Sequence, residues 1–235
     1  FRTTDRLMVL DRNGNIVKPF DIKLPKNQNP QPLAVFDYDL NRNYRFLLGQ
    51  DNFLAMYDNK GKKLSGFKLN KLSSNLLAAP KHIRIKSKDY LLLPLEDNTL
   101  KIVSRTGKNR VKVKEKIAFS GNQIYSYFNT FATTDQAGNL IQIDTKGNVV
   151  KTPLNLAQGH KIDATSKSMT SISDNILTIK GIPVTLPFGA YTQPKIFYIN
   201  NILYITTTDQ EAQKVYVYYS NGTAVEGFPV YGSSA

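Results

Sequence analysis

The 235-residue chain contains no cysteine, no tryptophan and only two histidines. Without cysteine there is no disulfide framework, no thiolate nucleophile and no zinc-thiolate site. Its longest apolar stretches are short pieces such as 90–93, far from the roughly 18 residues of a membrane-spanning helix. It also lacks Gly-x-Ser-x-Gly, P-loop, Gly-x-Gly-x-x-Gly and His-Glu-x-x-His motifs, so nothing pairs a nucleophile with its base and no catalytic residue is assigned. No stretch sustains a capped 3.6-residue apolar period, which predicts very little helix. The first six residues, Phe-Arg-Thr-Thr-Asp-Arg, begin without Met and are not an apolar signal core, as expected of a mature protein, a fragment or a trimmed chain.

What is present reads as an ordinary folded protein, with 41% hydrophobic and 21% charged residues. The length suffices for a sizeable core in a single domain, 1–235. A net charge of +13 permits attraction to nucleic acid, anionic lipid or acidic glycans without identifying any of them.

One pattern recurs along the chain: a strand, a turn carrying Gly, and a second strand. It appears at 7–10 and 16–20 around Asp-Arg-Asn-Gly, then at 53–57 and 64–69 around Asp-Asn-Lys-Gly. Further copies lie at 100–103 and 111–113 around Ser-Arg-Thr-Gly, and at 140–143 and 149–154 around Asp-Thr-Lys-Gly. The last is at 215–219 and 224–230 around Ser-Asn-Gly, and a shortened copy turns at Gly181, between 176–180 and 183–186. Asp, Asn or Ser opening a turn that closes on Gly is hairpin chemistry, because Gly accepts positive φ without steric cost. Ahead of each hairpin but the first lies another strand pair: 33–37 with 44–48, 83–85 with 90–93, 124–128 with 131–134, 162–165 with 169–172, and 196–199 with 203–207.

Four short strands repeated at about 40 residues, rich in Tyr and Phe, select a β-propeller over a sandwich. The expected units are 1–31 (a half blade), 32–79, 80–120, 121–158, 159–192 and 193–231. This is an all-β propeller of about five four-stranded blades plus an N-terminal hairpin. The leading hairpin lacks its two partner strands. Either the segment near Val230 joins it, or the chain is the C-terminal part of a longer propeller, since a ring must close to hide its edges.

The run from Pro32 to Gly61, Pro-Leu-Ala-Val-Phe-Asp-Tyr-Asp-Leu-Asn-Arg-Asn-Tyr-Arg-Phe-Leu-Leu-Gly-Gln-Asp-Asn-Phe-Leu-Ala-Met-Tyr-Asp-Asn-Lys-Gly, resembles an FG-GAP or VCBS-type propeller repeat. In those families an Asp-x-Asp-x-Asp-Gly loop precedes a strand, and an aromatic strand then ends in Asp-x-x-Gly. Residues 221–230, Asn-Gly-Thr-Ala-Val-Glu-Gly-Phe-Pro-Val, are similar to the last blade strand of bacterial PQQ-like envelope propellers. The resemblance covers blade architecture along most of the chain, with the specific loop present once. It implies a periplasmic, cell-surface or secreted protein working in adhesion, envelope assembly, or protein or polysaccharide binding.

In the acidic loop, Asp37, Asp39, Asn41 and Asn43 offer alternate oxygens to a hard cation, which makes Ca²⁺ the one cofactor to consider. The resemblance puts Arg42 at the family's Gly position and Arg45 at its last acidic position. The alternative reading has Asp37 and Asn43 satisfying backbone donors as Asx turns do. Asp37 and Asp39, on one strand face, also have the form of a glycosidase pair, for which sequence shows no distance to a partner acid. Asp11, Asn13 and Asn15 are explained by a hairpin turn.

Basic residues concentrate in 81–116. Arg84, Lys86 and Lys88 share one strand face with His82, with Ile83 and Ile85 opposite, and Arg110, Lys112, Lys114 and Lys116 repeat the arrangement. Such a face either binds a polyanion, nucleic acid included, or protects an exposed edge strand from pairing. His82 and His160 read as ordinary polar residues. The aromatics of 193–231, Phe197, Tyr198, Tyr204, Tyr216, Tyr218, Tyr219, Phe228 and Tyr231, read mostly as packing between blades. Asn221-Gly-Thr is a formal glycosylation sequon. A quinone-dependent dehydrogenase would need a Trp platform and acidic calcium ligands, so a non-catalytic binding or scaffold propeller leads. A carbohydrate-active or cofactor-dependent enzyme with an axial site, and a polyanion binder, stand as alternatives.

Overall fold

A computed structural model describes residues 1–3, 5–25 and 29–232, and among them the chain forms 21 β-strands and no helix. No helix is therefore long and apolar enough to cross a membrane. The strands pair in sequence order into antiparallel meanders. β1 (Arg6–Leu10) and β2 (Ile16–Lys23) form a hairpin, and β3 (Ala34–Phe36), β4 (Arg45–Gln50) and β5 (Phe53–Tyr57) a three-stranded sheet. β6 (Lys81–Ile85), β7 (Lys88–Pro94), β8 (Leu100–Val103) and β9 (Asn109–Lys112) make the first four-stranded sheet. Three more follow: β10 (Tyr125–Tyr127) to β13 (Val149–Pro153) through β11 (Thr130–Thr134) and β12 (Asn139–Ile143); β14 (Lys161–Ala164), β15 (Met169–Ser173), β16 (Ile176–Ile179) and β17 (Ile182–Thr185); and β18 (Lys195–Ile199), β19 (Ile202–Asp209), β20 (Lys214–Tyr219) and β21 (Val230–Tyr231).

The repeated turn works as its residues dictate. Asp58 accepts the N–H groups of Lys60 and Lys62, each at 2.9 Å, and Asp144 those of Lys146, Gly147 and Asn148 at 2.8–2.9 Å. Asp11 does the same for Asn13 and Asn15. The carboxylate replaces backbone acceptors that the reversing chain cannot reach, while Gly61 and Gly147 take the positive φ. A second turn type, two residues long with both φ positive, joins strands at Phe128-Asn129, Lys180-Gly181 and Asn200-Asn201, the twist that matches a right-handed hairpin.

Two expected strands are broken. No strand forms across 64–69; single bridges flank it, Tyr57 with Lys63 and Phe53 with Lys71, because Ser65-Gly66 turns the chain and Phe67 N–H reaches back to Leu64 O. In 224–230 a turn falls at the corresponding place, Glu226-Gly227, with Phe228 N–H on Val225 O and Gly227 at φ +83°, leaving β21 two residues long. The shared Gly-Phe pair marks both.

The chain divides into two compact units, 1–117 and 118–235. In the first, Ala34, Leu47 and Met56 of β3–β5 pack with Leu91, Leu93 and Val103 of β7 and β8. In the second, Ile172, Leu177 and Ile179 pack with Ile205, Tyr216 and Tyr218. Burial of these alternating residues supplies the cohesion that short strands lack. Not all the expected interblade aromatics are covered: Phe197, Tyr198 and Tyr231 lie exposed. The units also differ electrically. Residues 1–117 hold 24 Lys and Arg against 11 Asp and Glu, whereas 118–235 hold seven of each, so the whole net charge belongs to the first.

Candidate functional site

The acidic loop leaves β3 at Phe36 and enters β4 at Arg45, so Asp37 and Asp39 lie on a loop rather than a strand face. Asp37 accepts the N–H groups of Asn41 at 3.1 Å and Arg42 at 3.0 Å, and Asn41 accepts that of Asn43 at 3.1 Å. Arg42 sits at φ +63°, the left-handed conformation that the family's Gly would adopt freely. Here Asp37 holds it.

With the loop closed on itself, Asp39 is directed outward to two guanidinium groups. Arg105 grips it through Nη1 at 2.9 Å and Nη2 at 2.7 Å, and Arg84 donates from Nη2 at 2.9 Å. Arg84 Nε also donates to Asp89 at 2.8 Å, His82 Nε2 lies 2.8 Å from the same oxygen, and Arg105 Nε makes an ionic contact with Asp89 at 2.7 Å. Two carboxylates thus alternate with two guanidiniums, the planar fork matching each carboxylate edge. The Arg105 guanidinium lies 4.6 Å from the centre of the Tyr38 ring, and His82 meets that ring edge-on at 4.9 Å.

The donated hydrogen bonds, Arg105 first and Arg84 second, hold Asp39 well below the usual carboxylate range. Burial opposes the same shift at Asp89, but the bonds from Arg84, His82 and Arg105 together outweigh it. Burial pushes the Tyr38 hydroxyl up, and that oxygen has no hydrogen-bond partner among the described residues. The sign for stability follows from linkage: a depressed carboxyl contributes fully above its unfolded value, near pH 4, and loses that contribution as pH falls through its lower folded value. Urea titrations should therefore show stability falling below about pH 4, and less steeply in Asp39→Asn. An identical acid slope in the variant would contradict this account of Asp39.

Beside the ladder, loop 37–45, segment 62–67 and the turn at 104–107 enclose a cleft of about 520 Å³, with Tyr38, Met56, Leu64 and Phe67 as its apolar wall and Arg45, Lys62 and Lys63 at its edge. A second cleft of about 480 Å³ shares Arg105 and Thr106 with the first and adds Lys108 and Arg110.

The expected basic face is rearranged. β6 ends at Ile85, Lys86 enters the turn at φ +55°, and Lys88 belongs to β7, so Arg84, Lys86 and Lys88 do not share one strand face. Lys114 and Lys116 lie beyond β9, where Lys116 bonds the Asp97 carbonyl at 2.8 Å. β6 and β9 are opposite edges of their sheet, about 14 Å apart at normal strand spacing, so the two basic groups are separate. Arg84 is engaged by Asp39 and Asp89, and Arg110 lies over the Tyr90 ring. Lys112 and Lys114 remain exposed. Among the described residues no three His, Asp or Glu are grouped as metal ligands. Sequence reading passed over Lys62, Lys63, Arg105 and Lys108; their signal was a Lys directly after the repeat Gly in two successive turns, at 62 and 108, where the next turn has Asn148.

In the second unit His160 lies just ahead of β14, outside any strand, and is buried. Its Nδ1 lies 2.8 Å from Ala157 O, which only accepts, so Nδ1 carries a proton and Nε2 faces the Thr134 hydroxyl at 2.8 Å. Ser120 Oγ lies 2.8 Å from Thr134 Oγ1, and Asn122 Nδ2 donates to Ser120, Thr134 and His160 O at 3.0 Å each. The two ring nitrogens thus face a carbonyl and a hydroxyl, neither of them a carboxylate. The network ties three segments together.

No protein-family model and no curated protein matches the chain. Among solved structures it is similar to the computationally designed Ika8 protein, with 14% identity over 84% of this chain and 60% of that one, at a TM-score of 0.59. It is also similar to BBS1N, solved in complex with ARL6DN. The lead-soaked form shows 9% identity over 94% and 72% of the chains (TM-score 0.60), the mercury-soaked form 13% over 97% and 80% (TM-score 0.59). At such identities the likeness is one of fold. With consecutive antiparallel meanders and no helix among the described residues, the chain is a β-propeller, its five larger sheets the blades and β1–β2 the additional hairpin.

Proposed function

We propose that this propeller is a non-catalytic binding module of an exported or envelope protein, and that it recognises a partner protein through the rim loops of residues 1–117. The observation that carries the reading is the cleft at 37–67. It joins an apolar wall to exposed amines, while the ladder acids, Asp39 and Asp89, are already paired with guanidiniums and so are unsuited to proton transfer. A protein partner fits better than a polysaccharide, because sugars favour open aromatic faces and the Tyr38 ring is covered by Arg105 and His82. The exported location rests on the resemblance to envelope propellers.

A photo-crosslinking amino acid placed at the exposed Ser65, in the cleft, tests this against the same residue at the exposed Asn221. In the source cell, Ser65 should give a discrete protein adduct that Asn221 does not. Adducts from neither position, or equally from both, would sink the reading.

A further inference from the structure

The two clefts flanking the turn at 104–107 share Arg105 and Thr106, so they adjoin. Resting on the protein-binding reading above, we propose that they form one track for an extended acidic peptide segment of the partner, with an apolar side chain of that segment set in the first cleft. Three observations converge.

The first is the charge at the edges. Lys62, Lys63 and Lys108 are exposed and have no carboxylate partner among the described residues, and Arg45 bonds only Asn43 and backbone oxygens. Of the carboxylates lining the two clefts, Asp39 and Asp89 are neutralised by Arg84 and Arg105, and Asp58 is bonded to the backbone N–H groups of Lys60 and Lys62. The second is the wall. Met56, Leu64 and Phe67 give a place for an apolar side chain, for which a nucleic acid or sulfated glycan backbone has no use. A single-stranded nucleic acid would also ask for exposed stacking rings, and Tyr38 is occupied by Arg105. The buried Tyr38 hydroxyl, a donor without a partner among the described residues, stands at the same wall. The third is the field. The net charge of +13 resides entirely in residues 1–117, which favours encounter of an acidic segment with this unit.

The probe is a fluorescein-labelled ten-residue peptide alternating Asp or Glu with Phe or Leu, its binding to the full chain read by anisotropy at about 0.15 M salt. The expected result is saturable binding, weakened at least tenfold in Lys62→Glu/Lys63→Glu and in Lys108→Glu, changed less than twofold in Lys112→Glu/Lys114→Glu, and lost when Asn and Gln replace the peptide's acids. The substituted side chains are exposed, so the fold is kept. Absence of binding, equal binding by the charge-reversed variants, or tighter binding of a ten-residue oligothymidine or a heparin hexasaccharide would each overturn the proposal. If the peptide fails while the Ser65 crosslink still captures a protein, the acidic track is wrong and the binding module stands; if both fail, both fall.

Discussion

Gly138→Ala is expected to destabilise the protein by about 3 kcal/mol or more, measured by urea unfolding. Gly138 closes the turn that Asp135 opens, with its N–H on Asp135 O at 3.0 Å and φ at +75°. A left-handed non-glycine residue alone costs about 1–2 kcal/mol. Here a Cβ would also stand 2.1 Å from Leu156 O and 2.7 Å from Leu156 N, and these are backbone atoms without a rotamer to change. Gly159→Ala separates the two effects, because its φ is +81° and nothing lies within 4 Å of the added carbon. It should cost only the conformational part, about 1–2 kcal/mol. Equal losses at the two positions would show that the close approach of residue 156 carries no weight.

Asn122→Ala is expected to cost about 3 kcal/mol and to speed amide exchange at Ile162. The Asn122 Oδ1 accepts the Ile162 N–H at 3.1 Å, while its Nδ2 serves Ser120, Thr134 and the His160 carbonyl. Truncation leaves a partly buried N–H and a carbonyl without their partner, and an unmet buried group costs more than a made bond contributes. Thr134→Val removes one hydroxyl from the same network and should cost less, about 1–2 kcal/mol. Unchanged exchange at Ile162 after loss of Asn122 would mean that this side chain does not hold the strand β14 entry.

The strands were legible because each is punctuated locally. Asp-x-x-Gly at 58–61 and 144–147 carries both the acceptor and the positive φ that the turn requires, so strand ends such as Tyr57 and Ile143 fall where the sequence places them. The broken strands at 64–69 and 224–230 were not legible, since apolar residues such as Leu64, Phe67 and Leu69, or Val225, Phe228 and Val230, run through both and only the turn that ends in Gly-Phe interrupts pairing. The basic face failed for a related reason. A period of two runs unbroken from His82 through Lys88, but Lys86 turns the chain at positive φ and returns it as β7.

The acidic loop shows the division most clearly. Its Asp and Asn spacing, and its self-closing turn through Asp37, are local and were readable. The partner of Asp39 was not, because Arg84 and Arg105 lie 45 and 66 residues away along the chain and reach it only when the first unit packs.

What the sequence determined by itself is therefore the all-β class and the repeat of short antiparallel strands, since turn chemistry and two-residue alternation act between near neighbours. Only the tertiary structure decided which charges cancel and which stay free. Ion pairs form across sheets, and a cation such as Lys62 is distinguished from one such as Arg84 by what folding brings beside it.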